Sequence, residues 1–227
     1  MTRKQQRIGD KLATQHHAAA RRGFALKVFE EVDAVVDREL TMLSAKGRRS
    51  TCAKGCSHCC RQETYVPRAE AEAAVEWLQR AAPHLIADLE VRLRAWLTWY
   101  RSEYPGLVAG GIARRDAFSA HGPQCPALVD DACSIYPVRP VFCRTYHVSS
   151  PADACRPAAD PAHLDVPVEV LAIAAKTTPI ASTLRAFIQS QGSDFKGSVH
   201  LLAEWLIHLL EIEPEPWRTS PPPSWTR

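Results

Sequence analysis

Apolar residues recur at steps of three and four positions through several stretches of the chain, a spacing typical of amphipathic helices. The first stretch runs from Phe24 to Leu43 and is expected to end near Lys46-Gly47, because glycine suits a left-handed helix cap. Further helices are predicted from about Pro67, from Pro83 to Tyr104, over about 168–190 and over about 198–212. The pattern therefore predicts a mainly α fold.

Shorter, irregular stretches separate these helices. Residues 105–122 show no clear pattern, since Gly110-Gly111 interrupts any regular spacing. Asp130-Asp131 lies between two short apolar runs, which predicts a small β-hairpin. Pro137 and Pro140 then impose a rigid path, non-helical or limited to one turn, toward Cys143.

The chain of 227 residues is long enough to bury one substantial core. Residues 1–20 are basic with few apolar anchors, and we predict a flexible N-terminal tail there. Residues 21–213 are expected to form a single helical domain whose cysteine-rich core covers about 50–147. The proline-rich residues 214–227 are predicted to be extended or disordered.

Charge and hydropathy give little indication of a macromolecular partner. A net charge of +3 is too small a surplus to indicate nucleic-acid binding. The N-terminus has no apolar signal region, and no later stretch approaches the length of a membrane span. We therefore expect a cytoplasmic protein in a reducing compartment, with no membrane association.

The chemistry of the chain is concentrated in its cysteines. Eight cysteines are present, and seven fall into two short stretches: Cys52, Cys56, Cys59 and Cys60 in the first, and Cys125, Cys133 and Cys143 in the second. They are too few and too bunched for a small disulfide-stapled scaffold, which is the least favoured alternative. Thiolates are soft ligands that select zinc, copper(I) or iron–sulfur clusters. The spacing predicts a metal site on which the two stretches converge.

Two local geometries would bring the first four sulfurs together. A continuous helix would place them on one face, whereas Gly55 favours a loop followed by a short helical turn with Ser57 as its N-cap. In either case the adjacent Cys59 and Cys60 point in different directions, so one mononuclear site does not easily take both. Either one of them is not a ligand, or the pair serves two centres or a cluster. The number of cysteines favours two metals or a polynuclear cluster.

Other polar residues flank the cysteines. Four basic residues could balance the negative charge of a thiolate site or could simply be exposed: Lys54, Arg61, Arg139 and Arg144. Three histidines are available but less expected as ligands where thiols are plentiful: His58, His121 and His147. On the helix that starts at Pro83, Trp96 is predicted to be core and Arg92, Arg94 and Arg101 to form the solvated face.

The cysteine pattern resembles a known family. Cys52-x3-Cys56-x2-Cys59-Cys60, Cys125-Pro-x-Leu and Cys133-x-Ile-Tyr-x-x-Arg139-Pro140-x-x-Cys143-Arg144 are similar, over roughly residues 50–147, to the CxxCxxCC (YkgJ-like) family described as chelating zinc or iron. The first gap here is three residues instead of two. The resemblance implies a bacterial cytoplasmic metalloprotein that holds zinc or iron, including an iron–sulfur cluster, with the seven motif cysteines as ligands. Cys155 matches no motif position and is expected to be a free thiol in a loop.

Three functional classes follow from these observations. The leading one is a metal-binding protein in which binding is coupled to folding of residues 50–62 and 123–147. The alternative is an iron–sulfur-dependent protein-modifying enzyme, since flagellin lysine N-methylases look similar in this cysteine cluster, although the chain has no nucleotide-binding fingerprint and no nucleophile elbow. The third is an interaction module in which a bound metal only stabilises a surface that contacts protein or nucleic acid. The metal ion is the one partner that the sequence indicates.

Overall fold

The fold is taken from a computed structural model, which describes residues 3–53, 55–155, 168–191 and 196–217, with backbone alone for residues 3–14. The helices are α1 (Arg3–Ala45), α2 (Arg68–Ala81), α3 (Ile86–Ser102), α4 (Tyr104–Ala109), α5 (Arg114–Asp116), α6 (Val141–Thr145), α7 (Ile173–Ser190) and α8 (Leu202–Leu209). The strands are β1 (Tyr65–Pro67), β2 (Leu128–Val129), β3 (Ala132–Cys133) and β4 (Val199–Leu201). The predicted mainly α fold is confirmed.

The long helix α1 forms one side of the core. Its buried stripe follows the predicted spacing and packs against α2, α6 and α7: Ala25, Val28, Phe29, Val32 and Val36. The helix ends where predicted, because Gly47 adopts a φ of 77° and its N–H reaches the carbonyl of Ser44 at 3.0 Å.

At its other end α1 begins at Arg3, so most of the segment 1–20 is helical. Two ion pairs continue the contact with α2 beyond the apolar stripe: Arg21 binds Glu72 at 2.7 Å, and Arg22 binds Glu76 at 2.7 Å. These pairs fix the helix to α2 just before Phe24, where the apolar spacing begins. The flexibility of residues 1–20 stays a prediction.

Helices α2, α3 and α8 pack around the opposite side of the core. α8 contacts both α2 and α3, and β1 pairs antiparallel with β4, with Tyr65 opposite Leu201. α3 ends in an aromatic cluster that includes Trp96, which is buried as predicted. The ambiguous residues 105–122 form α4, α5 and one turn of π-helix, Ala117–His121, which close over this cluster.

The two C-terminal helices lie within the predicted ranges. α7 occupies the later part of 168–190, and α8 is shorter than 198–212 because Val199–Leu201 is a strand. Most of the predicted tail 214–227 lies outside the described residues. Within the described part of the chain, no helix has both the length and the apolar character needed to cross a membrane.

The second cysteine stretch folds as the turn residues predicted. β2 and β3 pair antiparallel with Leu128 opposite Cys133, and the turn residues Asp130 and Asp131 adopt φ values of 48° and 57°. A 3-10 turn, Tyr136–Val138, follows before α6, a single helical turn that carries Cys143. The hairpin and the constrained path after it are both confirmed.

Candidate metal centre

The first cysteine stretch is a loop that ends in a 3-10 turn, His58–Arg61, the second of the two geometries considered above. Three hydrogen bonds join it to the second stretch and its approach: Cys125 N–H donates to the Cys60 carbonyl at 2.7 Å, Ser57 Oγ donates to Asp131, and Arg61 donates to the Gly122 carbonyl at 2.8 Å. Ser57 occupies the predicted N-cap position, but its hydroxyl bonds to the hairpin turn instead of capping the turn that follows it. The two stretches are fixed to each other by backbone and side-chain bonds.

Five thiols lie close enough for their charges to interact across this junction. Cys60 interacts with Cys59, Cys125 and Cys143, and Cys143 in turn interacts with Cys59, Cys125 and Cys133. Four of the five residues are half-buried, and Cys143 is more exposed as a residue although its thiol is buried. The folded chain thus brings three cysteines of the second stretch to the doubled cysteine of the first.

The protonation of these thiols reflects their crowding. The Cys60 thiol donates to Cys59, which lowers the pKa of Cys59 to about 7 and raises the pKa of Cys60. Burial is the main cause that raises the pKa of Cys125 to about 12, and it also raises the pKa of Cys133 and Cys143, with smaller contributions from neighbouring thiols. Thiols this close cannot all ionise unless a cation balances them, and a thiolate-bound metal supplies that charge and displaces the protons.

The donor set fits a soft metal, although the side chains are not in a coordinating arrangement. All eight cysteines are free thiols, so the chain shows no disulfide scaffold. Among the described residues, no three Cys, His, Asp or Glu side chains already have the geometry to hold a metal ion. Zinc or an iron cluster would therefore be held by thiol side chains that rotate inward as it binds, and such a metal would supply positive charge and fixed geometry there.

Arg144 fixes the segment between the hairpin and α6. Its guanidinium is 2% exposed, pairs with Asp33 on α1 and donates to the carbonyls of Pro137 at 2.6 Å and Arg139 at 2.7 Å. It also lies 4.4 Å above the ring of Phe29. The charges of Arg139 and Arg144 both favour a thiolate at Cys133, which supports their predicted role beside the site.

The remaining flanking residues have diverse surroundings. His147 has both ring nitrogens engaged, with Ser50 Oγ at 3.1 Å and the Arg144 carbonyl at 3.1 Å. That it is not a ligand stays a prediction. Burial lowers its pKa. Lys54 lies outside the described residues.

Arg92 is a site residue that the sequence reasoning assigned wrongly to the solvated face. Its Nε donates to the Pro126 carbonyl at 2.7 Å, its Nη2 is buried without a hydrogen-bond partner in the described part of the chain, and its charge favours a thiolate at Cys125. The signal was its position four residues before the buried Trp96, which puts both on one helix face. Arg94 and Arg101 are exposed as predicted and pair with Glu90 and Glu213.

Replacing Arg92 with methionine is expected to weaken zinc binding by roughly tenfold, because it removes the cation beside the Cys125 thiolate. The measurement is a competition titration against a chromophoric chelator under reducing conditions. Arg94→Met on the same helix is the matched control and should leave the affinity unchanged. Equal affinities for the two variants would show that Arg92 does not act on the centre.

Glu70 of α2 is a second buried charge next to this region. Its Oε2 accepts a hydrogen bond from the Val141 N–H at 3.0 Å, at the start of the helix that carries Cys143. Burial is the largest effect and raises the pKa of Glu70 to about 7, against the Val141 N–H and the Arg144 charge, which favour the ionised form.

The free energy of unfolding should consequently fall between pH 4.5 and pH 7, because the native state binds the Glu70 proton more tightly than the unfolded state does. The raised pKa corresponds to about 3 kcal/mol, fully present below pH 4.5 and lost once the pH exceeds the folded value. Urea unfolding from pH 5 to pH 8 should show this decline in the wild type and a shallower one in Glu70→Gln. Parallel curves for the two proteins would contradict the assignment.

Cys155 is a further cysteine that the sequence reasoning kept apart from the motif. It ends a 3-10 turn, Ala152–Cys155, that contacts the 3-10 turn His58–Arg61. Its thiol charge interacts with those of Cys52, Cys56 and Cys59. Cys155 is a free thiol, as expected, but it lies beside the cysteines of the first stretch.

Fold and site together define a helical protein with a concentrated set of free thiols suited to a soft metal. Residues 51–162 match the model of the CxxCxxCC family, described as a "putative zinc- or iron-chelating domain". The match agrees with the family that the motif resembles, and it extends beyond Cys155. No curated protein matches the chain, and no solved structure does. The family description supports binding of zinc or iron.

Proposed function

We propose that the protein binds zinc or iron, the latter as an iron–sulfur cluster, through thiolates of the two cysteine stretches: Cys52, Cys56, Cys59, Cys60, Cys125, Cys133 and Cys143. The observation that carries the proposal is the direct bond between the stretches, in which Cys125 N–H donates to the carbonyl of Cys60. Five thiols with interacting charges surround this bond. Eight free thiols also suit a reducing compartment, and we place the protein in the cytoplasm on that ground.

The basic residues around the site support a thiolate-bound metal whose net charge is negative. Four thiolates on a divalent zinc ion leave a net charge of about −2. Arg92, Arg139 and Arg144 reach the cluster from three different elements, and their charges favour thiolate forms of Cys125 and Cys133. These arginines offset the negative charge of a thiolate centre. Without the thiolates, the same positive charges would repel a metal cation.

The test is metal and acid-labile sulfide analysis of untagged protein purified without oxygen or chelator. Stoichiometric zinc without colour would identify a zinc protein. Iron and sulfide in near-equal amounts, with thiolate-to-iron absorption, would identify an iron–sulfur protein. Protein that holds neither metal as purified, and takes up neither on anaerobic reconstitution, would overturn the proposal.

A paired variant links the metal to the converging stretches. Cys125→Ser should lose metal, since Cys125 lies at the junction itself. Ser134→Ala, which removes a hydroxyl bonded to the Ala127 carbonyl at 2.7 Å on the same hairpin, should retain it. Full metal content in Cys125→Ser would place the metal elsewhere.

A further inference from the structure

The eight thiols divide into two sets according to which charges interact. Cys60, Cys125, Cys133 and Cys143 belong to the set at the junction of the two stretches. Cys155 interacts instead with Cys52 and Cys56. Cys59 interacts with members of both sets and so lies between them.

Backbone contacts independent of these charges bring Cys155 to the start of the first stretch. Thr51 N–H donates to the Val148 carbonyl at 2.9 Å, and Thr51 Oγ1 donates to the Ser150 carbonyl. The 3-10 turn that ends at Cys155 begins two residues after Ser150 and packs on the turn His58–Arg61. Thr51 therefore lies beside residues 148–150, and the turn that ends at Cys155 packs against the turn that ends the first stretch.

The first stretch folds back so that Cys56 can join them. Cys56 N–H donates to the Ala53 carbonyl at 3.0 Å, and Gly55 adopts a φ of 90°, a left-handed conformation that glycine allows without strain. This tight turn reverses the chain between Cys52 and Cys56. The charges of both loop thiols interact with that of Cys155 on the facing turn.

The doubled cysteine supplies one thiol to each side. In a 3-10 turn of three residues per revolution, adjacent side chains point about 120° apart. The charge of Cys60 interacts with those of Cys125 and Cys143. Cys59 also interacts with the second stretch, but of the pair it is the one whose charge interacts with that of Cys155. One pair of neighbouring residues can thus complete two separate four-thiol sets.

We propose that Cys155 is a metal ligand, and that Cys52, Cys56, Cys59 and Cys155 form a second thiolate site beside a first site of Cys60, Cys125, Cys133 and Cys143. The inference rests on the proposed function and assigns it two metal ions instead of one. Each site offers four thiols, the tetrahedral set that zinc prefers. Binding of one Zn²⁺ to four thiols releases four protons and leaves a site of charge −2, with no redox change.

The test is a titration of the reduced apoprotein with Zn²⁺ and with Co²⁺ under anaerobic conditions, read by native mass spectrometry and by the cobalt–thiolate absorption. Wild-type protein should bind two equivalents. Cys155→Ser and Cys133→Ser should each bind one, in different sites. Ala154→Ser, which places the same hydroxyl side chain one position earlier in the same turn, should still bind two.

The outcomes separate this inference from the proposed function. Two equivalents retained by Cys155→Ser would overturn the second site and leave metal binding intact, and a wild type that binds one equivalent would do the same. Absence of binding to the wild type would overturn both. If Cys155→Ser does not fold, Cys155→His decides: a ligand position should recover two equivalents with a shifted cobalt spectrum, whereas an unshifted spectrum would exclude residue 155 from the coordination sphere.

Discussion

Replacing Arg144 with methionine is expected to destabilise the protein by about 3 kcal/mol, the cost of leaving buried acceptors without their donor. The guanidinium donates to the carbonyls of Pro137 and Arg139 and pairs with Asp33. Asp33 is 41% exposed and can return to water, so the two carbonyls account for most of the loss. Urea unfolding, monitored by helical circular dichroism, measures the change in the free energy of unfolding.

Two further variants test the origin of this effect. Arg144→Lys keeps the charge near Asp33 but cannot supply the planar fork that reaches both carbonyls, so most of the destabilisation should remain. Arg48→Met removes an exposed, solvent-screened ion pair with Glu169 and should leave the free energy of unfolding nearly unchanged. A small loss in Arg144→Met, equal to that of Arg48→Met, would show that the buried bonds of Arg144 do not hold the second stretch.

The helices could be predicted from the sequence because their buried stripes are local. The spacing of Val28, Val32 and Val36 depends only on the period of the helix, and the same holds for Leu89, Leu93 and Trp96 on α3. The hairpin at Asp130-Asp131 was equally local, since its turn residues and flanking apolar runs are contiguous. Convergence of the two cysteine stretches could be inferred only from the chemistry of thiols, because no local rule relates residues about 65 positions apart.

Several site features depended on tertiary contacts that the sequence does not show. Glu70 lies in the first turn of α2, where an acidic residue is typical of an exposed helix start, yet α6 packs over it and buries it. Arg92 was assigned by charge to the solvated face although its position relative to Trp96 put it inside. The contact of α1 with α2 before Phe24 likewise depends on ion pairs of Arg21 and Arg22 with carboxylates on α2, which the apolar spacing does not show.

Cys155 lies outside the cysteine motif although the fold places it beside the first cysteine stretch. It lies twelve positions after Cys143, and nothing around it repeats the pattern of the other cysteines. Its place next to Cys52 follows from Thr51 binding the segment 148–150, a pairing between residues almost a hundred positions apart. The two proposed four-ligand sites need eight thiols, and the motif supplies only seven. This odd number was the signal available in the sequence.

Removal of the metal is expected to lower the melting temperature by roughly 10 °C, the equivalent of about 4 kcal/mol when free metal exceeds its dissociation constant a thousandfold. The physical reason is that the thiols are not yet in a coordinating arrangement, so binding energy contributes to ordering the loops that carry them. Calorimetry with and without a zinc or iron chelator measures the change, and magnesium added to the chelated protein should not reverse it, because Mg²⁺ prefers oxygen ligands.

The loss of stability should also be uneven along the chain. Amide hydrogen exchange is expected to accelerate in residues 50–62 and 123–147 after chelation, while the buried stripe of α1 around Val28 and Val32, which packs on α2 and α7, stays protected. Acceleration that extends to residues 148–155 would follow if Cys155 is a ligand. Unchanged exchange in both cysteine stretches would mean that metal does not organise them, because a ligand that binds only the ordered loops must raise the free energy of opening them.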